Sequence, residues 1–367
     1  MSEHTQRARR VPLLMLAMAS LLAGLWAGLR RLGWDLPELR PTLLMAHGPL
    51  MVCGFLGTLI SLERAIALGR SWGLLGPLAA GTGGVLAIAG VGGVVPACLA
   101  LAASAALLAM YVDFVGKQRA ASMYVMLVGA ALWLVGNMLW FLGRPMNEVT
   151  YWWIGFVTLT IMGERYGFSR MVGPTKGSKW MFAFSIAFIL LGLLLSAVFL
   201  TAGVLILGIG LIAGDRWISW YDISRRTLKH SGLPRYVALS IQSGSMWLGV
   251  GGLLMLIFKD IPAGPHYDAI LHAVFVGFAI SMIFGHAPLI FPSVLKLPLK
   301  YQPYFYVPLV LLHASLVQRV ASDLFGWTYL RQWGGFLSTA AILLFFVLNI
   351  VSVVSSRKNA SSPVESH

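Results

Sequence analysis

The chain has 367 residues, of which 58% are hydrophobic and only 11% charged, and it carries a formal net charge of +14. That composition excludes an ordinary soluble domain. The excess charge does not point to nucleic acid either, because no basic patch with interleaved aromatics occurs.

Apolar runs of about 20 residues, each long enough to cross a bilayer, recur from end to end. Twelve spans are predicted, at 11–29, 41–62, 73–92, 95–115, 121–142, 149–166, 179–200, 202–222, 236–258, 267–292, 304–325 and 333–355. The fold class expected is therefore an all-α, polytopic integral membrane protein of about 12 transmembrane helices. Residues 1–367 form a single transmembrane domain with short tails at 1–10 and 357–367. The first span begins like a signal peptide, with Arg9-Arg10 before an apolar run and Ala17-Met18-Ala19 as a possible cleavage site. The run before that site is too short and hydrophobicity continues past it, so an uncleaved first helix is expected.

The second span, 41–62, opens with Pro41, which suits a helix start. His47 lies on it, and Met51, Gly54, Thr58 and Ser61 follow on the same face. Small residues at that spacing let a neighbouring backbone or a flat cofactor approach closely. Pro49 is expected to kink the helix and free a carbonyl near Met45.

Three even-numbered spans end in an acid followed by arginine: Glu63-Arg64, Glu164-Arg165 and Asp215-Arg216. Arginine reaching to headgroups, with the acid paired to a neighbouring helix, accounts for this pattern. A proton path through Glu63 and Glu164 accounts for it as well. With the N-terminus inside, 20 lysines and arginines fall on one face and six on the other, with Arg319 inside a span. This asymmetry places both termini in the cytoplasm of a bacterial-type inner membrane, with anionic lipid beside the basic loops.

The tenth span, 267–292, carries His272 and His286, fourteen residues apart. Fourteen residues make nearly four turns and about 21 Å of rise, so both rings are expected on one face. Phe275, Val276, Ala279 and Ile283 lie between them. The eleventh span adds His313, and Arg319 with Asp323 as an i,i+4 pair. Imidazoles within a membrane are costly and mark a ligand site or a proton path, although a lone one is also a common structural hydrogen-bonder. His47 and His272 fall about 9 and 8 Å from the outer ends of their spans, and His286 and His313 about 9 and 14 Å from the inner ends. A six-coordinate haem takes two imidazoles at one depth from different helices. His47 with His272 meets that condition, and His286 with His313 does so more loosely. Arg319 is placed to neutralise a haem propionate. Cys53 and Cys98 lie in different spans and form no metal-binding spacing.

His47-Gly48 followed by Met51 resembles the His-Gly-x-x-Met element of haem–copper oxidase catalytic subunits, where the histidine ligates the low-spin haem. The whole layout is similar to the NnrS-type haem- and copper-containing membrane proteins linked to nitric oxide metabolism. The resemblance implies haem b at His47, a possible haem-dependent oxidoreductase activity, and a quinol or a diatomic ligand such as nitric oxide as partner. It departs from the oxidases in two respects. The tenth-span histidines are fourteen residues apart rather than two, and no histidine occurs between His47 and His230 to form a copper centre. Copper is thus unsupported, and electron transfer or nitric oxide handling is expected in place of oxygen reduction.

The competing expectation is a twelve-helix proton-coupled transporter using the same histidines, since imidazole titrates near neutral pH. Against it, no pair of Gly/Pro-interrupted helices marks a midplane site in each half. A scaffold with purely structural histidines is a third. No nucleophile elbow or HExxH occurs, which sets aside soluble-type hydrolases.

Overall fold

The computed structural model describes residues 3–259, 261–295 and 301–361. Lys296 and Lys300 of the charge tally lie outside the described residues, as do the side chains of Arg7, Arg9, Arg357 and Lys358.

Each predicted span coincides with a helix, and the described residues contain no strand. In chain order these are α1 Glu3–Arg31, α2 His47–Leu68, α3 Ser71–Ile88, α4 Val94–Lys117 and α5 Ala121–Phe141. They continue as α6 Met146–Ser169, then α7 Lys176–Ser196, α8 Leu200–Tyr221, α9 Gly232–Ile257, α10 Pro265–Leu289 and α11 Pro303–Phe325, and α12 Thr328–Ser361. Eleven of the twelve are long and apolar enough to cross a membrane. The exception, α6, carries Glu148, Glu164 and Arg165, and it occupies the middle of the bundle: every residue from Val149 to Thr160 is buried. A helix enclosed by protein on all sides need not be uniformly apolar, because its neighbours can supply polar partners.

Local signals explain the helix ends. Pro265 and Pro303 stand in the first turns of α10 and α11, where a missing N–H costs nothing. Gly69 and Gly326 end α2 and α11 in the left-handed conformation, at φ +70° and +73°. Consecutive helices pack as antiparallel neighbours from α3 to α9, and α11 pairs with α12. Helix α1 closes the bundle by packing against α2, α3, α10 and α12.

The second span starts later than its sequence suggests. Pro41–Leu44 is a separate 3-10 turn, and the main helix begins at His47. Pro49 therefore stands within the first turn, where the leading N–H groups have no partner inside the helix. No kink is needed there, because Leu50 N donates to Ala46 O at 2.8 Å. The small face of α2 is a helix seam. A Cβ at Gly54 would lie 2.7 Å from Ser20 Oγ on α1 and 3.5 Å from Gly84 Cα on α3.

Two internal polar connections hold the bundle in register. Asn137 of α5 is fully buried; its amide nitrogen donates to Ala100 O of α4 at 2.9 Å. Its Oδ1 accepts from Trp153 Nε1 of α6 at 3.0 Å and from Cys53 Sγ of α2 at 3.3 Å. Arg165 of α6 donates twice to the Asp222 carboxylate, at 3.0 and 2.8 Å, with both side chains buried. Substituting Asn137→Leu orphans the buried Trp153 N–H and removes the second donor to the Ala100 carbonyl. Purified protein should lose about 1–3 kcal/mol of stability, seen as a lower unfolding temperature in detergent.

Candidate functional site

His47 and His272 meet across a cavity of about 400 Å³ between α1, α2, α6, α10, α11 and α12. Their ring centroids are 6.3 Å apart and their planes lie within 15° of parallel. Nδ1 of His47 is 2.7 Å from Gly24 O of α1, and Nδ1 of His272 is 2.8 Å from Asp268 O one turn earlier on α10. A carbonyl oxygen only accepts, so each Nδ1 carries the proton and each Nε2 keeps its lone pair. Gly28 leaves room for the His47 ring; a Cβ there would lie 3.0 Å from its Cε1.

The two helices that supply these histidines share an uncommon backbone feature. Leu50–Gly57 of α2 and Ala273–Ile280 of α10 are π-helical, beginning three residues after His47 and one residue after His272. Val52, Leu56, Phe275, Val276 and Ile280 from these stretches line the cavity. The wider i→i+5 turns of a π stretch, commonly found at functional sites, re-aim the side chains they carry. They also disturb the four-turn register between His272 and His286. His286 lines a second cavity, between α1, α2, α6 and α10, together with Glu63 and Glu164.

The rim of the first cavity is charged. Arg31, Arg319, Arg331 and Asp268 all line it. Asp268 Oδ2 accepts from Arg319 at 2.6 Å and from Arg331 at 3.1 Å. Arg331 Nε also lies 2.5 Å from Asp323 Oδ1. The expected i,i+4 pairing of Arg319 with Asp323 is thus replaced by partners on other helices: Asp268 for Arg319 and Arg331 for Asp323. Three arginines against one lining carboxylate leave donor capacity for an anion. The Thr150 and Tyr267 hydroxyls, hydrogen-bonded to each other, tie α6 to α10 beside the rim.

His313 is held differently from the other three. Trp247 Nε1 donates to its Nδ1 at 2.9 Å, so the proton sits on Nε2, which donates to Ser243 Oγ at 2.8 Å. Both nitrogens are engaged by α9, and His313 does not line the His286 cavity. The looser pairing of His286 with His313 as a second haem site is corrected on this ground. His286 itself has Nδ1 2.7 Å from Met282 O, while its Nε2 is buried without a partner.

Of the acid–arginine echoes, Arg64 bridges Glu63 and Glu164 at 2.5 Å each. Arg165 turns to Asp222, and Arg216 pairs with Asp215. Sequence spacing missed Gly24, Gly28, Arg31 and Arg331. Of the site's further contacts only Asp268, one turn before His272, carried a readable signal. Among the described residues no group of three or more His, Cys, Asp or Glu side chains is placed to hold a metal ion. A macrocycle that brings its own four nitrogens asks the protein for only one or two.

The family described as a domain of unknown function, DUF8744, matches residues 10–354, and the chain belongs to it. No curated protein matches the sequence.

The two nitrogen environments separate His313 from the cavity histidines. His313→Ala leaves the buried Trp247 N–H unpaired and should cost about 1–3 kcal/mol. It should lower the unfolding temperature and leave the spectrum and content of any group bound between His47 and His272 unchanged.

Proposed function

We propose that this DUF8744 protein is an integral inner-membrane protein of twelve transmembrane helices, with both termini cytoplasmic, that holds a b-type haem between His47 and His272 for electron transfer. The observation that carries this reading is the imidazole pair, with both Nδ1 protons committed to backbone carbonyls. An imidazole nitrogen sits about 2.0–2.1 Å from a bound first-row metal, and about 1.1 Å separates that nitrogen from the ring centroid, so a shared metal with both Nε2 atoms aimed at it would set the centroids about 6.2–6.4 Å apart. The observed 6.3 Å fits. The apolar flanks from both π stretches suit a macrocycle, and Arg31, Arg319 and Arg331 at the rim suit its carboxylates. The cavity volume is within the range of small-molecule sites, about 300–1,000 Å³.

When bound, haem supplies one-electron redox chemistry. The residues of this chain bind and orient it. Gly24 and Asp268, through their carbonyls, fix the tautomer of each ligand and hold the ring planes near parallel, the supporting-shell role that tunes ligand basicity. With His47 and His272 both committed to the group, it would serve electron transfer, and handling nitric oxide there would need one of the two histidines to give way. Proton-coupled transport is the reading that replaces this one if the protein binds no haem.

Visible spectra of the purified protein, oxidised and dithionite-reduced, test the proposal, with a pyridine haemochrome for stoichiometry. A Soret band with sharp reduced α-bands and one haem per chain is expected. His47→Ala and His272→Ala should each abolish the low-spin spectrum. Arg319→Gln should keep the spectrum but lose haem to apomyoglobin about tenfold faster, the scale of one ~1.4 kcal/mol contact. Colourless protein from haem-replete cells overturns the reading.

A further inference from the structure

The second cavity poses a separate question. It measures about 120 Å³ and has apolar walls that include Leu56, Leu59, Val157 and Ile283. Four polar side chains reach it: Glu63, Thr160, Glu164 and His286. Nε2 of His286 is buried with no partner and is aimed into a cavity that other polar groups share, and a buried unpaired nitrogen there calls for an explanation. Because its Nδ1 faces the Met282 carbonyl at 2.7 Å, Nε2 is an acceptor. Glu63 and Glu164 share the single cation Arg64. Arg64 meets one oxygen of each acid, which leaves the other oxygens free to accept. The Thr160 Oγ1 is buried and also without a partner, and a hydroxyl can serve either way.

These features define the missing ligand. It must donate hydrogen bonds, because the imidazole and the carboxylates offer acceptors. It must be apolar in body, because the walls are. At about 120 Å³ the enclosed space is somewhat smaller than the apolar cavity of about 150 Å³ that accommodates benzene, so at most one six-membered ring enters it, with the ring's substituents passing out through the walls. A macrocycle belongs in the larger cavity. The walls are not sealed: Leu14, Leu59, Ile60, Ile161 and Ile283 are only half-buried, which gives an apolar tail a way out between the helices.

We propose that this cavity binds the ring of a membrane-soluble hydroquinone, one hydroxyl donating to His286 Nε2 and the other to the Glu63–Glu164 carboxylate pair. Oxidation of the ring to a quinone releases two protons and two electrons. On that oxidation His286 Nε2 would take one proton and a carboxylate of the pair the other. The two electrons would leave one at a time to a one-electron acceptor, the role a haem held by His47 and His272 would fill, with a second one-electron acceptor reoxidising it between the two transfers. That electron route rests on the haem reading above; the binding does not. Helices α2 and α10 carry both sites, and Leu56 lines both cavities.

Anaerobic equilibrium dialysis of the full-length protein in detergent tests this, with a decyl-tailed dimethoxy-methyl hydroquinone, its quinone and its di-O-methyl ether as probes. The decyl tail keeps all three in the detergent, and affinities are compared per mole fraction there, where only the hydroquinone can donate. The hydroquinone should bind at least about tenfold more tightly than the ether, since each unmet buried acceptor costs about 1–3 kcal/mol. His286→Phe should lower that preference severalfold or more, because only the Glu63–Glu164 pair is left to accept. Leu59→Trp, which fills the cavity from its apolar wall and removes none of its polar groups, should abolish binding of all three, and it keeps the test alive if the histidine variant does not fold. Equal affinity for the three probes, as water in the cavity would give, overturns the proposal, as does a preference undiminished in both variants. Because the readout is binding, a colourless protein that keeps the preference sinks only the haem reading. A haem-bearing protein without the preference sinks only this one.

Discussion

A polar group enclosed by twelve mostly apolar helices has no water to fall back on, so the protein must supply its partner. The consequence is sharpest at the histidines. Three of them send Nδ1–H to a backbone carbonyl, from Gly24, Asp268 and Met282. Each therefore presents Nε2 as an acceptor inside a cavity. The fourth, His313, receives a proton from Trp247 and gives one to Ser243, which leaves it nothing to offer. A single hydrogen-bond choice thus separates ligand-type from structural imidazoles of identical composition. The same constraint places Asn137 where α2, α4, α5 and α6 meet, and gives the enclosed Arg165 a buried carboxylate.

Packing then decides which cavity each imidazole faces. The π stretches of α2 and α10 follow the paired histidines and wall the larger cavity from two sides. Regular α turns would carry His286 back beneath His272. The extra residues in the π turns break that register, so the two histidines of α10 serve different cavities. Gly28 and Gly24 on α1 add the close approach that lets α2 bring His47 and Met51 inward. Polar bonds choose the tautomers here, and backbone irregularity chooses the direction in which the rings point.

Hydropathy alone locates twelve helices, since each is a long apolar run between polar turns; α6 is found too, although its charges keep it below the apolarity of the rest. The proximity of His47 and His272 was legible from depth, despite a second helix that begins at His47 and not at residue 41. The 3-10 turn over Pro41–Leu44 carries the chain down outside the main helix, so the level of the histidine changes less than its position in the helix does. Partner choice across helices was not legible. Arg319 has Asp323 one turn away in sequence and pairs with Asp268 of α10 instead. Asp323 is taken by Arg331 of α12. Spacing within a helix constrains neighbours on that helix only, and a backbone carbonyl such as that of Gly24 leaves no mark in the sequence at all.

The distribution of arginine carries the last inference. Topology selects against basic residues on the face opposite the cytoplasm, and on the proposed orientation only six lysines and arginines lie there. Two of the six, Arg31 and Arg331, line the rim of the cavity that holds His47 and His272, and Arg319, counted on neither face, lines it with them. Cations where topology disfavours them need a local reason to persist. Asp268 and Asp323 answer for part of that charge. The remaining positive charge faces the cavity mouth, where an anionic group attached to an apolar, flat body would meet it. The acidic cluster of Glu63 and Glu164 stands at the other end of α2 and α6, in the second cavity. Along the same pair of helices, α2 and α10, the protein thus sets an anion-seeking site at one level and a donor-seeking site at another, with apolar side chains between them.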